Sequence, residues 1–354
     1  MKIENFERNG SRSPAASFRA AWWIRNRHLQ TILPAFRRVD PPARSRSTIR
    51  TPDGDFLDLD WCPGTRKELV LLLHGLTGSS ASHYVLGQQL ALIRFGFRSV
   101  ALNFRGCSGR PNDRANAYHS GETGDLDHVY REIRRQEPDT PIAVVGFSLG
   151  GNMLLKWLGE QGPKLDLFAA VAISVPFELD KCADRMDRGF SRLYRNMLLN
   201  DLNRYMSIKH QHLVNKGLHK EARRISTLGD LSGIRSFWEY DNRVVAPLYG
   251  FRDAKDYYEQ SSSRGYLQNI AVPTLLLQAQ DDPFLGSDII PEPSEIPSHV
   301  KLMISPHGGH VGFVSGLFPG KPEYWLEDKV PEYLLAELAG DTVIGKVNGH
   351  SRSF

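Results

Sequence analysis

The stretch Pro141 to Gly151, P-I-A-V-V-G-F-S-L-G-G, decides how the rest of the chain reads. Ile142 to Val145 is a short apolar, β-branched run, the composition of a buried strand. Asn152 to Leu158, N-M-L-L-K-W-L, contains good helix formers. Between them, Gly146-Phe147-Ser148-Leu149-Gly150 sets a serine between two glycines. A strand, a glycine-flanked serine and a helix form the context in which G-x-S-x-G makes a nucleophile elbow. Such a turn is tight enough to put Ser148 in strained φ/ψ space, and only small neighbours let strand and helix pass so closely. The turn lifts the hydroxyl off the sheet edge. The start of the next helix offers free N–H groups and a partial positive charge beside it.

Outward from this point, strands and helices alternate. Leu69 to Leu73 is a continuous apolar run, as expected of a central parallel strand, and ends in His74-Gly75-Leu76-Thr77-Gly78. Leu86, Leu90 and Ile93 fall on one helical face. Phe97 to Phe104 reads as the next strand. Leu126, Val129, Tyr130 and Ile133 share a helical face and predict a helix from about Glu122 to Gln136. Further strands are expected at Phe168 to Val175, Val272 to Ala279 and Val300 to Ser305. This alternation predicts an α/β fold, a mainly parallel central sheet flanked by helices. Upstream, Asp53-Gly54 signals a hairpin within Thr48 to Trp61.

Residues 178–258 break the alternation with helical, Arg-, Leu- and Tyr-rich sequence, and are expected to form an inserted helical cap. Its stripe of Phe190, Leu193, Leu198 and Leu199 is a candidate acyl pocket, although packing on the sheet domain is the commoner fate of such residues. The core is then divided into residues 48–177 and 259–340. Residues 1–47 read as a loose lead-in to about Ala16, then an apolar segment at Trp22 to Pro34 that either anchors on the core or edges the site. Tyr324 to Leu338 predicts a closing helix interrupted near Pro331, and 341–354 a frayed tail.

A serine hydroxyl needs a base within hydrogen-bond reach, and a histidine serves when a carboxylate holds its tautomer. On this scaffold the chain order is serine, acid, histidine. Here that order is Ser148, then Asp281 or Asp282, then His310, each after the C-terminal end of an expected strand, where ligands collect on an open parallel sheet. Gly308-Gly309 lets the backbone approach the site before His310, whereas His307 follows Pro306 and precedes the flexible pair. Two backbone donors for a tetrahedral oxyanion are expected at Leu149 N–H, just after the serine, and Leu76 N–H, in the loop after the first parallel strand. His74 is expected to brace that loop.

Composition narrows the alternatives. Of 354 residues, 41% are hydrophobic and 24% charged, ordinary for a soluble globular chain with a sizeable core. The net charge of +4 is spread out and no nucleic-acid motif accompanies it, so no nucleic-acid partner is expected, although weak attraction to anionic surfaces is compatible with it. Cys62, Cys107 and Cys182 show neither metal spacing nor a disulfide framework. With no apolar leader and no span of about 20 apolar residues, they fit a cytoplasmic protein without a transmembrane segment. His210, His212 and His219 lack ligand spacing. The reading requires no cofactor and no metal, and is silent on oligomeric state.

These residues resemble the α/β-hydrolase superfamily, and within it the YheT-like branch. The likeness rests on W-W-I-R-N-R-H-L-Q-T at Trp22, T-P-D-G-D-F-L-D-L-D-W at Thr51, H-G-L-T-G at His74, Y-H-S-G-E-T at Tyr118 and G-F-S-L-G-G-N at Gly146. P-L-Y-G-F-R-D-A-K-D-Y-Y at Pro247, A-Q-D-D-P-F at Ala279 and G-G-H-V-G-F at Gly308 complete it, so it covers nearly the whole chain. The resemblance implies an α/β-hydrolase fold and carboxylesterase-type chemistry. Eukaryotic relatives include phospholipase-like enzymes and yeast enzymes that make or cleave medium-chain fatty acid ethyl esters. In the superfamily the acid commonly precedes a proline-containing turn, which implies Asp282, before Pro283, rather than Asp281. The expected activity is hydrolysis of small-molecule or lipid-like carboxylic esters with short to medium acyl chains. An acyltransferase passing the acyl group to an alcohol would use the same residues, and a non-catalytic binding protein would not need them intact.

Overall fold

The apolar run Leu69 to Leu73 becomes a strand with every residue buried, and the rest of the fold is assembled on its two edges. The computed structural model describes residues 18–348. The lead-in expected over 1–16 and the last part of the expected tail, residues 349–354, lie outside it. In chain order, a short 3₁₀ turn at Trp22–Ile24 precedes α1 (Arg27–Ala35), followed by the hairpin of β1 (Ser45–Arg50) and β2 (Phe56–Cys62). Gly54 turns that hairpin at φ 83°, its N–H donating to Thr51 O. Then come β3 (Leu69–Leu73), α2 (His83–Arg94), β4 (Arg98–Asn103), α3 (Gly124–Gln136), β5 (Ile142–Phe147), α4 (Leu149–Gln161) and β6 (Ala169–Ile173).

Six helices separate β6 from the next strand: α5 (Leu179–Met186), α6 (Ser191–Asn215), α7 (His219–Ser226), α8 (Phe237–Tyr240), α9 (Ala246–Tyr249) and α10 (Ala254–Ser261). A π-helical turn, Asp241–Val245, joins α8 to α9. The chain closes with β7 (Thr274–Ala279), β8 (Val300–Ser305), a two-stranded ribbon of β9 (Val314–Ser315) and β10 (Glu323–Tyr324), and α11 (Leu326–Asn348).

The eight-stranded sheet has the order β1-β2-β4-β3-β5-β6-β7-β8. Pairings β1–β2 and β2–β4 are antiparallel and all the others parallel. Parallel strands need cover on both faces. Leu126 and Val129 of α3 with Leu154 and Trp157 of α4 pack on one face. Val85 and Leu92 of α2 with Val330 and Leu334 of α11 pack on the other. Register decides where the site forms. Leu73 pairs with Gly146, and Ile173 pairs with both Phe147 and Leu277, so β3, β5, β6 and β7 end level at one edge.

Two helices differ from expectation. In α2 the buried positions include Val85, Leu86, Gln89 and Leu92, while Leu90 and Ile93 are only half-buried, because helix α11 covers a broader face than a single stripe. Helix α11 is not interrupted at Pro331 and continues to Asn348. Pro331 lies in its second turn, where it forfeits one backbone donor, and the burial of Val330 and Leu334 beside it holds the helix together.

The helices between β6 and β7 have an apolar core of their own, built from residues such as Leu199, Met206, Leu213, Ile225, Val244 and Leu248. They are fastened to the sheet domain by polar contacts. Ser191 Oγ donates to Pro283 O at 2.6 Å. The fully buried Lys209 Nζ donates to Asn112 Oδ1 and Asn116 O at 2.7 and 2.8 Å. Burial pushes that ammonium down to about 7.

Candidate active site

Ser148 sits at φ 51°, ψ −119°, between β5 and α4. A side chain with a Cβ rarely adopts this conformation, which costs about 1–3 kcal/mol. The flanking glycines show why the turn tolerates nothing larger. A Cβ on Gly146 would lie 2.5 Å from Gly150 O, and one on Gly150 would lie 2.5 Å from His74 O. Ser148 N–H donates to Ile173 O at 2.8 Å, which ties the turn to β6.

The loop after β8 brings His310 to the serine. His310 Nδ1 lies 2.8 Å from Asp282 Oδ2, and His310 Nε2 lies 2.9 Å from Ser148 Oγ. A carboxylate only accepts, so Nδ1 carries the proton and Nε2 is left to accept from the serine hydroxyl. Asp282 is 2% exposed, and its Oδ1 accepts the Phe284 and Leu285 N–H groups. The adjacent Asp281 faces elsewhere. It accepts from Gly309 N–H at 3.0 Å and lies 3.3 Å from His307 Nδ1. Of the two carboxylates, Asp282 therefore joins Ser148 and His310, and His307 stays outside. Phe284 stacks on the His310 ring, with centroids 4.2 Å apart and planes 8° from parallel.

The loop after β3 supplies the other wall. A Cβ on Gly75 would lie 3.3 Å from Ser148 Cβ, so this loop passes directly beside the serine. Its backbone is held by side chains. Gly75 N–H donates to Tyr84 Oη at 2.8 Å, and Thr77 N–H, at a residue with φ 56°, donates to Tyr118 Oη at 2.9 Å. His74 accepts Phe104 N–H at Nε2 and reaches Gly75 O through Nδ1 at 2.7 Å, the bracing expected of it. Burial pushes its imidazole down to about 4. Leu76 and Leu149 both line the cavity above Ser148, and their N–H groups have no acceptor among the described residues.

That fold and that site can be compared with known proteins. The α/β hydrolase fold family matches residues 68–317, which span every element from β3 to the His310 loop. The chain belongs to the α/β hydrolase family. It is 39% identical over 331 residues to YheT of Escherichia coli (strain K12), named as a candidate esterase, covering 92% of this chain and 95% of that one. It is 31% identical over 306 residues to a protein named phospholipase ABHD3 from Homo sapiens, covering 83% of this chain and 73% of that one. Among solved structures, the Pyrococcus furiosus esterase Pf2001 aligns with a TM-score of 0.51 at 18% identity, over 83% of this chain and 92% of that one, a likeness of fold. These relatives support hydrolase activity of the esterase or lipase type.

In this hydrolase the site opens into a cavity of about 660 Å³, within the range of small-molecule sites. Ser148 and His310 lie on its wall together with apolar residues of the helices between β6 and β7. Phe190, Leu193 and Leu198 of the expected stripe line it, whereas Leu199 packs inside the helical layer. One feature of the wall had no sequence signal. Asp241, in the π-helical turn, accepts from Tyr258 Oη at 2.6 Å, and burial pushes its carboxyl up to about 7. Helix α1 also reaches the site. Thr31 Oγ1 accepts the His310 N–H at 2.9 Å and donates to Arg27 O. Gln30, fully buried, exchanges hydrogen bonds with Val314 N–H and Val314 O. The glycines of the His310 loop fit α1 closely, since a Cβ on Gly309 would lie 2.7 Å from Arg27 O. The apolar N-terminal segment thus both anchors on the domain and edges the cavity.

Two outcomes follow from this geometry. Thr31→Val leaves the His310 N–H without its acceptor and is expected to lower kcat on a water-soluble ester roughly tenfold with little change in KM. Thr31→Ser, which keeps the oxygen, should recover most of the loss, and equal damage from both would contradict the positioning role. His74 gives a pH signature. Below about pH 6.5 the unfolded chain takes up a proton that folded His74 refuses until about pH 4. The stability that neutral His74 contributes is therefore present above 6.5 and drains as the pH falls toward 4. Melting temperatures of the wild type and His74→Asn across that window should converge at the acid end.

Proposed function

We propose that the protein is a serine esterase whose catalytic residues are Ser148, His310 and Asp282. The observation that carries this reading is one hydrogen-bonded line, Asp282–His310–Ser148, ending at the wall of an apolar cavity. His310 Nε2 takes the Ser148 proton as Oγ attacks the ester carbonyl. Asp282, fixed by two backbone N–H groups, keeps the tautomer and stabilises the imidazolium. The carbonyl oxygen of the tetrahedral intermediate is met by Leu76 and Leu149 N–H, the latter at the positive end of α4. The intermediate collapses as the C–O bond to the alcohol breaks, and the imidazolium proton passes to the leaving alkoxide oxygen. Water, deprotonated by His310, then hydrolyses the acyl-enzyme and frees the carboxylic acid and Ser148.

The cavity supports an ester with one apolar chain. Helical residues 178–258 act as a cap over the serine, and their Leu, Met and Phe side chains receive a short to medium acyl group. Each methylene buried is worth about 0.8 kcal/mol, so affinity climbs with chain length until the cavity is full. Water is the usual acceptor.

A fluorophosphonate probe is expected to label the intact protein at Ser148, located by mass spectrometry of the digest. Ser148→Ala should escape labelling and lose ester hydrolysis by on the order of 10⁴-fold or more while keeping its melting temperature. An active Ser148→Ala enzyme would mean that another residue attacks. Across p-nitrophenyl esters from acetate to palmitate, kcat/KM should peak before the long chains. A maximum at palmitate would contradict the chain-length assignment, and ester synthesis outrunning hydrolysis with added alcohol would point to acyl transfer.

A further inference from the structure

The rim of the cavity is built unlike the rest of the surface. A residue that both lines the cavity and stands well out into solvent lies at its opening. Phe36, Leu193 and Met197 do so, with exposures of 78%, 53% and 66%, and Phe190 joins them. Leu29 stands 51% exposed on α1, two helical turns before Phe36 and therefore on the same face. Large apolar groups scattered singly need no explanation, but a contiguous apolar rim at a cavity mouth marks an interaction surface.

The same rim gathers cations. His28 of α1 packs its ring on Phe190, with centroids 4.4 Å apart, and lies 3.1 Å from Tyr194 Oη, so α1 and the start of α6 meet here. Burial lowers the His28 imidazole, the charges of Arg27 and Arg185 lower it further, and Asp281 opposes them. Arg185 Nη1 lies 3.5 Å from Arg188 O, which sets these two arginines side by side. Burial lowers the Arg185 guanidinium, Arg27 and Arg188 add to the shift, and Asp282 opposes it. Among the described residues none of the three has an ion-pair partner. Nearby Asp187 pairs with Arg195 instead, at 2.5 Å. Like charges gathered at a rim without a direct ion-pair partner are unfavourable in the isolated protein and favourable against an anionic surface.

We infer that this rim docks the protein on anionic phospholipid bilayers, with Leu29, Phe36, Leu193 and Met197 entering the headgroup boundary and Arg27, Arg185 and Arg188 facing the lipid phosphates. Apolar insertion flanked by arginines is the pattern of proteins that lie on a membrane without crossing it. Charge complementarity selects a bilayer over a second copy of this chain, because a two-fold contact would bring the same three guanidinium groups against each other. Docking in this orientation sets the cavity mouth on the bilayer, so a lipid-borne ester enters without crossing water. The inference does not depend on which residue is the nucleophile.

Flotation of the full chain carrying Ser148→Ala, with vesicles of phosphatidylcholine containing about 30% phosphatidylglycerol, tests docking apart from catalysis. The protein is expected to float with these vesicles at about 0.1 M salt, to float far less with pure phosphatidylcholine, and to be released at about 0.5 M salt. Arg27→Gln with Arg185→Gln should weaken binding roughly fivefold for each cation removed. Leu29→Ser with Phe36→Ser, both at exposed positions, should weaken it on either vesicle without lowering the melting temperature. Absence of flotation at low salt would overturn the inference. So would binding that ignores both double variants, or a solution dimer that Phe36→Ser dissolves.

Discussion

The crossing of β5 and α4 is the contact on which the rest of the architecture depends. An added methyl at Gly146 would run into the backbone of α4, and one at Gly150 into the backbone at the end of β3. That closeness forces Ser148 to φ 51°. The strain is carried because both elements are buried along their lengths, Val144 and Val145 in the sheet and Leu154 and Trp157 on the helix. A strained residue persists only where its surroundings overdetermine it. Here the Ser148 N–H bond to Ile173 O and the packing of the helix supply that constraint.

Strain is shared around the site rather than confined to the serine. Ser174, at the end of β6, has φ 52°, and its Oγ accepts the N–H of Val311, itself at φ 59° and next to His310. Phe313, two residues on, has φ 44° and is 1% exposed. Thr77 completes the set in the loop after β3. Each of these loops is pinned by a side chain from elsewhere in the chain: Tyr84 and Tyr118 after β3, Gln278 after β6, and Thr31 and Asp281 at His310. Side-chain to backbone bonds of this kind hold irregular backbone where no strand or helix can satisfy it. The site is therefore a ring of short, individually unfavourable turns, held by a sheet whose strands end level.

The helical layer between β6 and β7 adds a different ingredient. It brings its own apolar core and lays a second apolar surface over Ser148, so the cavity is bounded by two independently packed bodies. Removing water from that space strengthens every charge interaction within it. Asp241 on the cavity wall shows the cost, its carboxyl pushed up by desolvation. Lys209, buried where the helical layer meets Asn112 and Asn116, shows the same with its ammonium pushed down. At the opening the balance reverses, where large apolar side chains stand in solvent.

Much of this was legible in the sequence because it is local. β3 and β8 have the bounds their apolar runs predict, the Asp53-Gly54 turn makes its hairpin, and G-F-S-L-G makes its elbow, since period, β-branching and glycine act over a few residues. The order of Ser148, the aspartates and His310 along the chain is also a sequence property. What the chain alone left open is whatever depends on parts distant in sequence meeting in space. Asp281 and Asp282 are neighbours, yet strand direction after β7 turns one toward His310 and the other toward His307 and Gly309. Pro331 stays within its helix because packing against the sheet outweighs one lost backbone bond. Thr31 and Gln30 end the W-W-I-R-N-R-H-L-Q-T stretch, but their hold on the His310 loop exists only because α1 docks beside a segment about 280 residues away. Residue type and spacing determined the elements and the chemistry available to them. Register and docking decided which atoms came within 3 Å of one another, because those distances are set by the packing of the whole sheet and not by any stretch of chain.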